Sequence, residues 1–166
     1  MPIHAACSSN IDSAAKCDLL LKEYPESINT PAQTNSKIKL PVSIAAYYGK
    51  ADLVAFLLQK GAKVIVGDNK RGWGPLYAAA RAGHSDVIKV VLKYYPELIN
   101  RILKEREEES LGTSLHCATY YGNYNAVVEL VTRLPRLLLA RNSQNKTALD
   151  IAILRNRLHF LVDDRK

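Results

Sequence analysis

The chain has 166 residues, of which 48% are hydrophobic, enough for one domain with a buried core and too rich in aliphatics for a disordered tail. No window approaches the roughly 18 uninterrupted apolar residues of a membrane span, and the opening MPIHAACSSNI lacks the basic start and apolar run of a secretory signal, so an intracellular location, cytoplasmic or nuclear, is expected. Lys and Arg number 23 against 16 Asp and Glu, and the resulting net charge of +7 favours an acidic partner.

In chain order, five stretches align: MPIHAAC from Met1, LPVSIAA from Leu40, GPLYAAA from Gly74, TSLHCAT from Thr113 and TALDIAI from Thr147, spaced by 39, 34, 39 and 34 residues. One column is alanine throughout (Ala6, Ala45, Ala79, Ala118, Ala152) and one is aliphatic (Ile3, Val42, Leu76, Leu115, Leu149). Four residues past each alanine stands Gly or Asn, as Asn10, Gly49, Gly83, Gly122 and Asn156. Alanine is the strongest helix former and lets helices approach closely, while Gly and Asn enter the left-handed conformation that ends a helix. Each stretch is therefore expected to be a first helix ending at that column.

After the glycine, ADLVAFLLQK and YNAVVELV carry apolar residues three and four apart, the spacing of a half-buried helix. The equivalent VIKVVL has the β-branched content of a strand, but its register with the other two assigns it to a second helix. The endings EYPESIN, YYPELIN and RLPRLLL place proline where that helix should stop. The longer spacings put their extra residues in TPAQTNSKIK and RILKEREEESLG, expected as enlarged loops between units.

These units resemble the ankyrin repeat, with its T-P-L-H-x-A-A start, following Gly-His pair and aliphatic helix at a period near 33 residues. The resemblance implies an all-α ankyrin-repeat solenoid of stacked helix-turn-helix units with finger loops. It covers residues 1–166 as a single domain, with units starting near positions 1, 40, 74, 113 and 147. The motif threonine is kept only as Thr113 and Thr147 and its histidine only as His4 and His116, which leaves the helix starts of units 2 and 3 without their usual caps. The curtailed fifth unit has Asp163, Asp164, Arg165 and Lys166 available for a polar outer end.

No catalytic chemistry emerges. VGDNKRGWG spaces Gly67 and Gly72 as a P-loop begins, but Trp73 and Gly74 stand where Lys and Ser/Thr are needed. His4, His84 and His116 occupy motif positions and read as structural; Cys7, Cys17 and Cys117 form no Cys-x-x-Cys and read as buried thiols. Neither cofactor nor metal is expected.

The resemblance further implies that a partner lies along the finger tips and the exposed ends of the first helices. Read onto this sequence, those positions include Lys37, Lys39, Tyr47, Tyr48, Lys70, Arg71, Trp73, Arg81, Tyr120, Tyr121, Lys146 and Arg155. The face is aromatic and basic, and Tyr, Trp and Arg are the residues that dominate binding hot spots. The expected function is protein binding by a monomeric module, with an acidic segment as partner. Two other readings stay open: single-stranded nucleic acid, which basic charge interleaved with aromatics also suits, and a bacterial effector acting on host proteins.

Overall fold

Prolines and glycines set the limits of most helices in this chain. The computed structural model describes residues 2–9, 13–36, 38–64, 74–96 and 112–155. Within them, first helices α1 (Pro2–Ser8), α3 (Pro41–Tyr47) and α5 (Pro75–Ala82) each begin on proline. At the first helical position its missing N–H is one that would go unpaired anyway, and its fixed φ suits the helix. Prolines 41 and 75 thus supply the starts of units 2 and 3 that lack threonine.

The other two first helices, α7 (Ser114–Tyr121) and α9 (Ala148–Leu154), start on reciprocal caps. Thr113 Oγ1 lies 2.8 Å from His116 Nδ1, which also accepts the Thr113 amide at 3.2 Å. In unit 5 Asp150 takes the histidine's place, its carboxylate accepting from both the amide (2.7 Å) and the hydroxyl (2.9 Å) of Thr147.

At the other end of these helices, Gly49, Gly83 and Gly122 have φ of 74°, 86° and 74°. This left-handed turn lets the residue after each glycine donate its amide to the alanine-column carbonyl: Lys50 to Ala45 (3.0 Å), His84 to Ala79 (3.0 Å) and Asn123 to Ala118 (2.9 Å). Asn10 and Asn156 lie outside the described residues.

The second helices are α2 (Ser13–Glu23), α4 (Ala51–Gln59), α6 (Ser85–Tyr94) and α8 (Tyr124–Arg133), so VIKVVL is helical as its register required. Helices α2, α6 and α8 stop just before Pro25, Pro96 and Pro135. After two of these prolines the chain makes short 3-10 helices, Pro25–Asn29 and Pro135–Leu139, that turn Ile28 and Leu137 into the core. Helix α4 has no proline and ends at Gly61, with φ 91°.

Helices α1, α3, α5, α7 and α9 pack side by side in one layer, and α2, α4, α6 and α8 in a second. The core lies between them. The alanine column is buried in all five units, at 6% or less exposed, and this absence of bulk lets adjacent first helices pack directly. The aliphatic column is buried at Ile3, Val42, Leu76 and Leu115 but not at Leu149, which is 45% exposed. Leu149 sits on α9, the last described helix, which packs on α7 and the 3-10 helix Pro135–Leu139. Among the described residues there is no strand, and the architecture is an all-α stack.

Candidate functional site

The loop before unit 2 folds back on itself: the Ala32 amide donates to the Lys39 carbonyl at 2.9 Å, projecting the described residues between them as a finger. Between this finger and the ends of α1, α3 and α5 runs a groove of about 680 Å³. Its walls include His4, Ala5 and Ser8 of α1, Gln33, Thr34, Ser36 and Ile38 of the finger, Ile44, Tyr47 and Tyr48 of unit 2, and Arg81 of α5. None of these residues is acidic.

From Arg81 the strip continues across the stack. Its guanidinium carbon lies 4.4 Å from the Tyr121 ring centre, and its Nη1 donates to the Tyr121 hydroxyl. Tyr121 meets Tyr120 edge to face, with ring centres 5.2 Å apart, and the Arg155 guanidinium stacks on Tyr120 at 3.7 Å. Tyr47 and Tyr48 make the same edge-to-face pair, at 5.6 Å, at the groove end of the strip. Tyr48 is the most exposed of the four paired rings.

Of the residues expected from sequence, Tyr47, Tyr48 and Arg81 are brought together in the groove, and Tyr120, Tyr121 and Arg155 extend the same layer. Lys39 closes the base of the finger through its carbonyl without lining the groove. Lys146 is exposed, and its carbonyl accepts from His116 Nε2 at 2.9 Å. Lys37, Lys70, Arg71 and Trp73 lie outside the described residues, as do the Gly67–Gly72 stretch and the acidic run Glu105–Glu109.

Two features escaped the sequence reading. The arginines are not held apart for a partner but rest on tyrosines of the same layer, a pairing set by stacking that spacing does not reveal. The finger also offers small polar groups, Gln33, Thr34 and Ser36, beside the lysines that charge alone singled out.

The three described histidines have structural partners. His4 Nε2 donates to the Thr30 carbonyl at 2.9 Å, His116 repeats this toward Lys146, and His84 Nε2 donates to the Tyr47 carbonyl at 3.0 Å. Burial holds the His116 pKa below the ordinary imidazole value, so the ring is neutral. Among the described residues no three His, Cys, Asp or Glu side chains cluster as metal ligands, and no helix is long and apolar enough to cross a membrane.

A stretch of 51 residues, 31% of the chain, is 37% identical to the glycerophosphocholine phosphodiesterase GDE1 of Candida albicans. The chain spans only 4% of that relative's length. The model of ankyrin repeats in three copies matches residues 3–101. Ankyrin repeats are in general protein–protein interaction modules, typically without enzymatic activity. That match spans more than half of the sequence and agrees with the two-layer stack of helix pairs that continues beyond it to α9, and the chain belongs to the ankyrin repeat family.

Proposed function

We propose that this chain is a non-catalytic binding module that holds an acidic segment of a partner protein along the groove and the tyrosine–arginine strip beside it. The observation that carries this reading is the continuity of the strip: Tyr47 and Tyr48 border the groove with Arg81, which contacts Tyr121, and Tyr121 leads through Tyr120 to Arg155. Rigid aromatic rings bury large areas with little entropy loss, and guanidinium groups already stacked on them have less freedom left to lose on binding.

Charge supports the acidic partner. Helices α1, α3 and α7 carry no charged carboxylate or ammonium, α5 carries only Arg81, and the one acid of the inner layer, Asp150 on α9, is engaged in its own cap. The acids Asp18, Asp52, Asp86 and Glu129 lie on the second-helix layer. In this reading Lys37, Lys39, Lys70, Arg71, Trp73 and Lys146 continue the site along the fingers.

The test is affinity capture from cell lysate with wild type, with an Arg81→Ala, Tyr121→Ala double variant and with Lys89→Ala, each checked by thermal melt. Lys89 lies on α6, paired with Asp86 at 3.0 Å. A protein retained by wild type and Lys89→Ala and lost by the folded double variant is expected. Retention by the double variant with loss by Lys89→Ala would move the site to the second-helix layer. A shift of single-stranded RNA that survives physiological salt and needs Lys70 and Arg71 would instead favour nucleic acid.

A further inference from the structure

Two of the three cysteines face one another inside the first unit. Cys7 on α1 and Cys17 on α2 are free and fully buried, with their Sγ atoms 3.8 Å apart. The hydrogen bond between them and the burial of the pair raise the Cys7 pKa, while the same bond lowers that of Cys17. The Lys50 ammonium, which donates to the Ser9 carbonyl just past the end of α1, favours the thiolate at both sulfurs.

We infer that Cys7 and Cys17 are a modification site: a dithiol that closes to an intramolecular disulfide by exchange with a small disulfide such as oxidised glutathione, tying α1 to α2. In the first step the Cys17 thiolate attacks one glutathione sulfur, forming a mixed disulfide and releasing one glutathione thiolate. Cys7, losing its proton to solvent, then attacks Cys17 Sγ and expels the second glutathione. The two protein thiols lose two electrons and two protons in all, and one oxidised glutathione becomes two reduced ones.

Closing the bond brings the sulfurs from 3.8 Å to about 2.0 Å, an approach of roughly 1.8 Å between two helices of one unit. Among the described elements α1 packs on α2 and α3, and α2 on α1, α4 and the first 3-10 helix. Local opening of the α1–α2 pair, as helices undergo short of global unfolding, gives the reagent access to the buried sulfurs. Cys117 is a buried free thiol on α7, outside this pair.

The consequence reaches the groove, because His4, Ala5 and Ser8 on α1 form one of its walls. Linking α1 to α2 stiffens that wall whether or not a partner is present, so the inference stands independently of the proposed function.

The test equilibrates the purified chain with glutathione at increasing oxidised fraction, quenches with acid and maps the thiols by alkylation and non-reducing peptide mass spectrometry. Expected are a loss of two hydrogens, a peptide joining Cys7 to Cys17 and alkylated Cys117. The melting temperature should rise by about 5 °C or more, since a cross-link restricts the unfolded chain, and dithiothreitol should reverse the rise. Hydrogen exchange of the α1 amides should slow in the oxidised form. Three alkylated cysteines at every glutathione ratio at which the urea-unfolded chain oxidises would overturn the inference, as would glutathione adducts without the joined peptide.

Discussion

Gly49 and His84 fit together across the junction of units 2 and 3. The His84 ring donates to the Tyr47 carbonyl, and a β-carbon built on Gly49 would lie 2.6 Å from two atoms of that ring. Asn123 repeats the arrangement one unit later: its side-chain amide donates to the carbonyls of Ala80 and Arg81, both at 2.8 Å, and its Oδ1 is 3.0 Å from a β-carbon built on Gly83. At the first junction Lys50 reaches the Ser9 carbonyl in the same way. Units 2, 3 and 4 thus each tie off the helix end of the unit before it.

Gly49→Ala should therefore destabilise the chain by about 2 to 4 kcal/mol, combining strain at positive φ with displacement of His84. Gly61→Ala is the control. Its φ of 91° is just as unfavourable, but nothing lies within 4 Å of the added carbon, so about 1 to 2 kcal/mol is expected. Equal losses in urea denaturation would mean that the imidazole contact contributes nothing.

Overpacking tests the alanine column. Ala79→Leu and Ala118→Leu each insert a larger side chain between helices at positions with no exposed surface, at a cost of about 1 to 3 kcal/mol. Denaturation midpoints unchanged in both would contradict the close approach of the first helices.

Acid should weaken the fourth unit through His116. Its folded pKa lies below the unfolded value near 6.5, so its contribution is complete above about pH 6.5 and is lost as pH falls from there toward the folded pKa, where the unfolded chain binds the extra proton. The slope attributable to this one group approaches about 1.4 kcal/mol per pH unit. Melts of wild type and His116→Gln between pH 7 and 5 check it: the variant should show a shallower dependence over that interval, and parallel curves would remove His116 as the cause.

Binding should separate the layers of the stack. Against the captured partner, the proposed site predicts that Trp73→Ala costs at least about 2 kcal/mol, as loss of an aromatic hot-spot residue does. Arg81→Ala should slow association, with an effect that shrinks as salt rises. Lys89→Ala should change affinity by no more than about 0.5 kcal/mol. Titration calorimetry and stopped-flow at two salt concentrations measure all three.

The stack was legible in the sequence because its physics repeats. One alanine and one glycine or asparagine per unit, seen five times, decided helix over strand for VIKVVL, which no single window could do. The caps were less legible. Pro41, Pro75 and Asp150 do the work of the missing motif residues by different chemistry, so a search for Thr and His passes over them. Contacts such as Arg81 on Tyr121 or Cys7 against Cys17 depend on rotamers and on how helices cross, which residue spacing does not encode. Leu149 shows the same limit: its column predicts burial, and the residue is 45% exposed.

The ties from Lys50, His84 and Asn123 also bear on how such a chain can be cut and rejoined. Because each side chain reaches back into the preceding unit, the natural module for transplantation is not one unit but a junction: the glycine of one unit with the residue that follows the next glycine. A graft that moved residues 74–96 alone would carry His84 to a new host and leave Gly49 behind, while presenting Gly83 to a residue other than Asn123. A splice that preserved every column of the repeat could thus still clash at both seams. One that matched glycine to a ring or amide across each seam would not.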